Sequence, residues 1–149
     1  MVDLTLLKQL REQTDVSVGA CKMALEKAGG DLKRAAEILR EEGNKIAEKK
    51  AVRPTGIGIV EAYVHTTQRV GALLEIRSET DFVARNPEFK KLAHDITMHI
   101  TASAPESVAA LLDQPFIKDE SKSVGTLLTE AIARFGENIQ ITQFSRFEI

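Results

Sequence analysis

The chain has a single cysteine, Cys21, so no disulfide can form within it, which fits a reducing interior. It also lacks an excess of positive charge. Its 20 basic and 22 acidic side chains leave a formal net charge of -2, which is no electrostatic footprint for DNA or RNA. No apolar run approaches the ~18 residues that a membrane span needs. The start, Met1-Val2-Asp3-Leu4-Thr5-Leu6-Leu7-Lys8, has neither the basic stretch nor the long apolar run of a signal peptide. These absences predict no nucleic acid and no membrane among the partners. They also predict a cytoplasmic location, or an organelle interior if a transit peptide has been removed.

Catalytic equipment is scarce too. His65, His94 and His99 are the only histidines. His94 and His99 are five apart and share a helix face poorly, and one cysteine cannot complete a zinc site. Cys21 falls among small helical residues, which reads as core rather than nucleophile. Gly56-Ile57-Gly58 precedes a strand instead of opening a helix, so it is no phosphate fingerprint. Glu79 and Asp81 have the chemistry for acid–base work, but no substrate pocket is marked beside them. The expectation is no enzyme, no cofactor and no metal site. There is no internal repeat and no low-complexity tract.

What is present is a chain of 149 residues, 43% hydrophobic and 28% charged, ordinary for a soluble globular protein. Residues 3–43 read as three short helices around a very small core. Asp3 caps Leu4, Leu7 and Leu10. Ser17 caps Ala20, Ala24, Leu25 and Ala28, which stop at Gly29-Gly30. Asp31 caps Leu32, Ala35, Ala36 and Leu39, which stop at Gly43. The loop from Thr14 to Gly19 should be exposed. Residues 44–56 read as a linker, with Lys45, Lys49, Lys50 and Arg53 solvated and Pro54-Thr55-Gly56 breaking any helical extension. Residues 57–149 read as an α+β core. Gly58 to Thr66 and Val70 to Arg77 form a hairpin. A helix over 87–103 carries Phe89, Leu92, Ala93, Ile96 and Ile100. A short helix over 106–113, a loop from Pro115 to Lys122, a helix over 124–135 capped by Gly136, and a strand from Asn138 to Ile149 complete the chain.

One stretch stands apart: Thr80-Asp81-Phe82-Val83-Ala84. The strand-like run ends before it. Asn86-Pro87, a cap followed by a first-turn proline, opens the next helix. An acid and a large ring thus sit side by side on a strand-to-helix turn. Burying such a ring contributes roughly 1.5–3 kcal/mol. Two destinations remain open from spacing alone. The ring folds back onto its own sheet, as most aromatics do, or it plugs a pocket of another molecule.

Several segments together resemble one family. They are Leu10-Arg11-Glu12 through Cys21-Lys22-Met23-Ala24-Leu25 to Gly30-Asp31 and Leu39-Arg40; then Thr80 to Ala84 with Phe89; then Pro115-Phe116-Ile117-Lys118-Asp119, Ala131-Ile132-Ala133, Gly136-Glu137-Asn138-Ile139, Phe144 and Arg146-Phe147-Glu148. In this order, over nearly the whole chain, they are similar to elongation factor Ts, the guanine-nucleotide exchange factors of bacterial and organellar translation. The resemblance implies an α+β fold with an N-terminal three-helix ubiquitin-associated-like domain. A small antiparallel-sheet core with packed helices, of dimerisation type, would follow. It implies the GTPase elongation factor Tu as partner. It implies that Asp81 and Phe82, within the Thr80–Ala84 motif, enter that partner's nucleotide domain beside its Mg²⁺ site. Arg11, Val18 and Lys22 match family positions facing the same domain. The chain departs from the family in three places. Many members carry methionines where Asp15-Val16-Ser17-Val18-Gly19 stands. A basic pair is common where Thr142-Gln143 stands. A long helical insertion usual in the family is missing between Ala104 and Leu111. The core then resembles one half of a two-part core, with an apolar sheet face left uncovered. A homodimer is expected, without a disulfide at the sheet because Cys21 lies in the helical part. The rival readings are an interaction adaptor without exchange activity and a small hydrolase dependent on Asp81.

Overall fold

A computed structural model describes residues 1–149. Short polar side chains start most of its helices by accepting orphan backbone amides. Asp3 accepts from Thr5 at 2.7 Å and opens α1 (Leu4–Thr14). Ser17 opens α2 (Val18–Lys27), and Asp31 opens α3 (Leu32–Lys50). Leu10, Cys21, Ala24, Leu25, Ala35 and Leu39 form a small buried cluster between these helices. Leu4, expected inside by its spacing, is exposed, and Leu7 is half-buried. At the end of a helix with no neighbour beyond it, periodicity has nothing to pack against.

Beyond α3 come β1 (Ile57–Val64), β2 (Val70–Ser78), the single turn α4 (Asp81–Ala84), α5 (Pro87–Ser103), α6 (Val108–Asp113), β3 (Pro115–Phe116), β4 (Asp119–Ser123), α7 (Val124–Phe135) and β5 (Gln140–Glu148). The main sheet has the order β1-β2-β5 and is antiparallel throughout, with a bulge between Glu75 and Ile76. Its inner face presents Ala72, Leu74, Ile76 and Ile141 to Phe89, Leu92, Ala93, Ile96 and Ile100 of α5. Leu128, Ala131 and Ile132 of α7 extend the same cluster. This is an α+β fold with N-terminal helices. No helix is long and apolar enough to cross a membrane.

Two segments differ from the sequence expectation. Pro115 to Lys122, expected as a loop, forms the small hairpin β3-β4. The third helix does not stop at Gly43 but runs to Lys50, so residues 44–50 of the expected linker are helical. Gly43 is buried against α7. A Cβ there would lie 3.6 Å from the Ala133 Cβ, an ordinary contact. A glycine inside a helix costs about 0.5–1 kcal/mol relative to alanine. Gly43→Ala is therefore expected to raise Tm by roughly 1–4 °C, and Gly43→Leu, too large for the contact, to lower it. Thermal melts of the two variants check this.

His99 is fully buried on α5. Its Nδ1 accepts the Ile117 amide at 3.2 Å, so the proton sits on Nε2, which donates to Gln114 Oε1 at 2.8 Å. Burial pushes its pKa below the ordinary histidine value, against a smaller opposing effect of the Gln114 bond. The unfolded chain therefore takes up this proton first as pH falls. Stability should be flat with respect to His99 above about pH 6.5. Below that it should fall by up to ~1.4 kcal/mol per pH unit until the folded group protonates. Urea midpoints measured between pH 5.5 and 7.5 should show this slope, and His99→Gln should flatten it.

Candidate functional site

The Thr80–Ala84 motif occupies the passage from β2 to α5. Thr80 caps α4: its side-chain oxygen accepts from the Val83 amide at 3.5 Å. This one turn divides its residues between two faces. Val83 and Ala84 are buried, and Val83 joins the core of sheet and α5, so the two anchor the motif and do not face outward. Asp81 and Phe82 point away, and Phe82 is 89% exposed, more than any other aromatic ring of the chain. The ring does not fold back onto its own sheet. Asp81 pairs with Arg85 one turn on, at 3.1 Å, with both side chains largely solvated. Such exposed pairs contribute only about 0–1 kcal/mol, so the Asp81 carboxylate is easily drawn to another partner.

The motif is held from outside by a carboxylate far along the chain. Glu137 Oε1 accepts the amides of Glu79 and Thr80 at 3.1 and 3.0 Å, and its Oε2 accepts the Thr80 hydroxyl at 2.6 Å. Glu79 returns the contact, taking the Asn138 amide on Oε2 at 2.7 Å.

On the helical part, Arg11 sits near the end of α1, while Val18 and Lys22 lie one turn apart on α2; all three are exposed. A single cation links this region to the neighbourhood of Phe82. Arg134 on α7 reaches Asp15, in the loop before Val18, at 3.3 Å, and Glu88, in the first turn of α5, at 3.6 Å. Arg134 thus ties the loop before Val18 to the helix that follows the Phe82 turn.

Comparison with known proteins decides what such an arrangement belongs to. The family model described as "Elongation factor TS" matches residues 79–149, from the Phe82 turn to the end of the chain. "Elongation factor Ts" of Acetivibrio thermocellus is 39% identical over 193 positions, which cover 99% of this chain and 90% of the relative. The protein of that name from Carboxydothermus hydrogenoformans is 40% identical, with 100% and 89% covered. That from Thermotoga maritima is 38% identical, with 99% and 96% covered. The chain belongs to the elongation factor Ts family. A role in translation elongation goes with that membership.

The alignment with the Acetivibrio relative spans 193 positions against 149 residues here, so more than forty positions are filled in the relative alone. In this chain, α5 passes to α6 through only Ala104 to Ser107.

No local sequence pattern marks Glu137, Asn138 or Arg134 for a role. Their partners lie 57, 59 and 119 residues away. No local pattern signals a contact at that distance. The one available pointer was the Gly136-Glu137-Asn138-Ile139 motif, a charged and an amide residue placed directly after a helix stop.

Proposed function

We propose that this protein is a guanine-nucleotide exchange factor for elongation factor Tu, acting in the cytoplasm and without covalent chemistry. The observation that carries the proposal is the solvent-facing Phe82 on a turn whose Val83 and Ala84 are anchored. A ring left in water forfeits the stabilisation that its burial would bring. Its contribution comes when another molecule covers it.

The physics of exchange follows from the ligand. GDP carries a strongly negative diphosphate, held by Mg²⁺ and by backbone amides of a phosphate loop. Phe82 wedged between helices of the partner shifts the elements that organise the metal. Asp81, released from Arg85, competes for the hydrogen bonds that hold it. With the metal loosened, the phosphate charge is poorly compensated and GDP leaves faster. Linkage makes the effect reciprocal: whatever weakens the nucleotide is weakened by nucleotide in the same ratio. Incoming GTP therefore expels the factor. Arg11, Val18 and Lys22 supply a second contact to the same domain of the partner. Residues 1–43 then work as a recognition domain and 57–149 as the exchange core.

The test is release of fluorescent GDP from elongation factor Tu, with and without this protein. Acceleration is expected. Binding without acceleration would favour the adaptor reading.

We also propose that the protein is a homodimer. On the sheet face turned away from α5, Val60 and Val64 of β1, Leu73 of β2 and Phe147 of β5 are all exposed. Exposed apolar patches of this kind mark interfaces, and a self-complementary pairing covers the face on both copies at once.

A further inference from the structure

We propose that Glu137 is a positioning residue for exchange: it sets the angle at which Phe82 leaves the surface. The inference rests on the reading of Phe82 as the wedge.

A single helical turn does not hold its own shape. Nucleation fixes several dihedrals for one hydrogen bond, so α4 depends on its surroundings. Val83 and Ala84 fix its inner side. They do not fix the turn Glu79-Thr80, from which the direction of Asp81-Phe82 follows. That turn presents three donors to one carboxylate, the amides of Glu79 and Thr80 and the hydroxyl of Thr80, and all three bond to Glu137. Bonds to an ionised acceptor are the strong class. Ser78 adds a bond from its hydroxyl to the Thr80 carbonyl at 3.0 Å.

The clasp is reciprocal and extends to the helical part. Glu79 takes the Asn138 amide, and Arg53 approaches Glu79 Oε1 at 3.5 Å. The Asn138 side chain donates to the carbonyls of Ala51 and Arg53 at 3.4 and 2.9 Å. Those two residues lie directly beyond α3. The strand end, the start of β5 and the segment leading from the helices therefore meet at one node. A wedge acts only if it arrives in the right place, and a displacement of ~1 Å can cost a reaction roughly 100-fold.

Stopped-flow release of fluorescent GDP from elongation factor Tu, at rising concentrations of each variant, separates positioning from mere stability. Glu137→Ala is expected to lower the saturating rate about 10-fold while moving the half-saturating concentration less than about 3-fold. Glu137→Gln keeps a carbonyl acceptor for both amides and should recover most of the rate. Thr80→Val removes the hydroxyl bond to Glu137 and the long cap on the Val83 amide but leaves both amide bonds, and should give an intermediate loss, which keeps the test open if Glu137→Ala does not fold. In a Phe82→Ala background each change should add less than about 2-fold, because the group it positions is gone. An undiminished effect in that background overturns the proposal, and so does an unchanged saturating rate for Glu137→Ala. If Phe82→Ala itself leaves the rate intact, the wedge reading of that ring fails and the positioning role falls with it. If Phe82→Ala abolishes exchange and Glu137→Ala does not reduce it, the positioning role alone fails.

Discussion

Phe82→Ala is expected to reduce stimulated GDP release from elongation factor Tu by about 30-fold or more. Residues that anchor an interface in a partner's pocket lose at least ~2 kcal/mol on truncation, and aromatic rings are prominent among them. The same change should leave the fold untouched. The ring is 89% exposed and shields no core, so no burial is lost. Changes at such surface positions stay within about ±0.5 kcal/mol, and alanine is the better helix former for α4. Two measurements on one variant therefore decide the matter. A melting temperature near that of the parent, together with a collapsed exchange rate, is the expected pair. A folded variant that retains full exchange would remove the wedge from the mechanism. A variant that unfolds would mean that the ring is core after all.

Much of this arrangement could be read from the sequence because its determinants are local. Asp3, Ser17, Asp31 and Asn86-Pro87 start helices where such residues should, and each accepts an amide two or three positions on. The stripe from Phe89 to Ile100 is the buried face of α5 as its spacing predicts. What local reasoning misjudged, tertiary contact had decided. Gly43 looks like a helix stop, yet it lies where α3 meets α7, and small size is what that contact requires. Asp119-Glu120-Ser121-Lys122-Ser123 has no strand propensity, yet β4 pairs with β3, and the amide of Ile117 at the hairpin's turn is held by the buried His99. Phe82 is the sharpest case. Composition alone sends such a ring inward, and only the family resemblance sent it outward. The turn that leads into it is bonded to Glu137, a residue that no window around Phe82 contains.

Phe147→Glu is expected to raise the dissociation constant of the homodimer by at least about 100-fold. The exposed sheet face has an apolar end and a polar end. At the polar end Arg77 pairs with Glu75, and Gln143 bonds to the same carboxylate. At the apolar end Gly71 lies between Val64 on one neighbouring strand and Phe147 on the other. Val64, Gly71, Leu73 and Phe147 line a notch there, and its Val64 and Phe147 are 65% and 72% exposed. A second copy can fill that notch with its own Phe147. In a two-fold interface one substitution removes the contact twice. Each buried ring is worth roughly 1.5–3 kcal/mol, so the doubled loss starts near 3 kcal/mol, and one factor of ten corresponds to 1.4. The two introduced carboxylates add a desolvation cost. Because Phe147 is so exposed in the protomer, the monomer should melt as before. Light scattering over a concentration series reads the outcome. The parent should be dimeric and the variant monomeric at the same concentration. A parent that stays monomeric throughout, or a variant that stays dimeric, would place the second copy elsewhere or remove it.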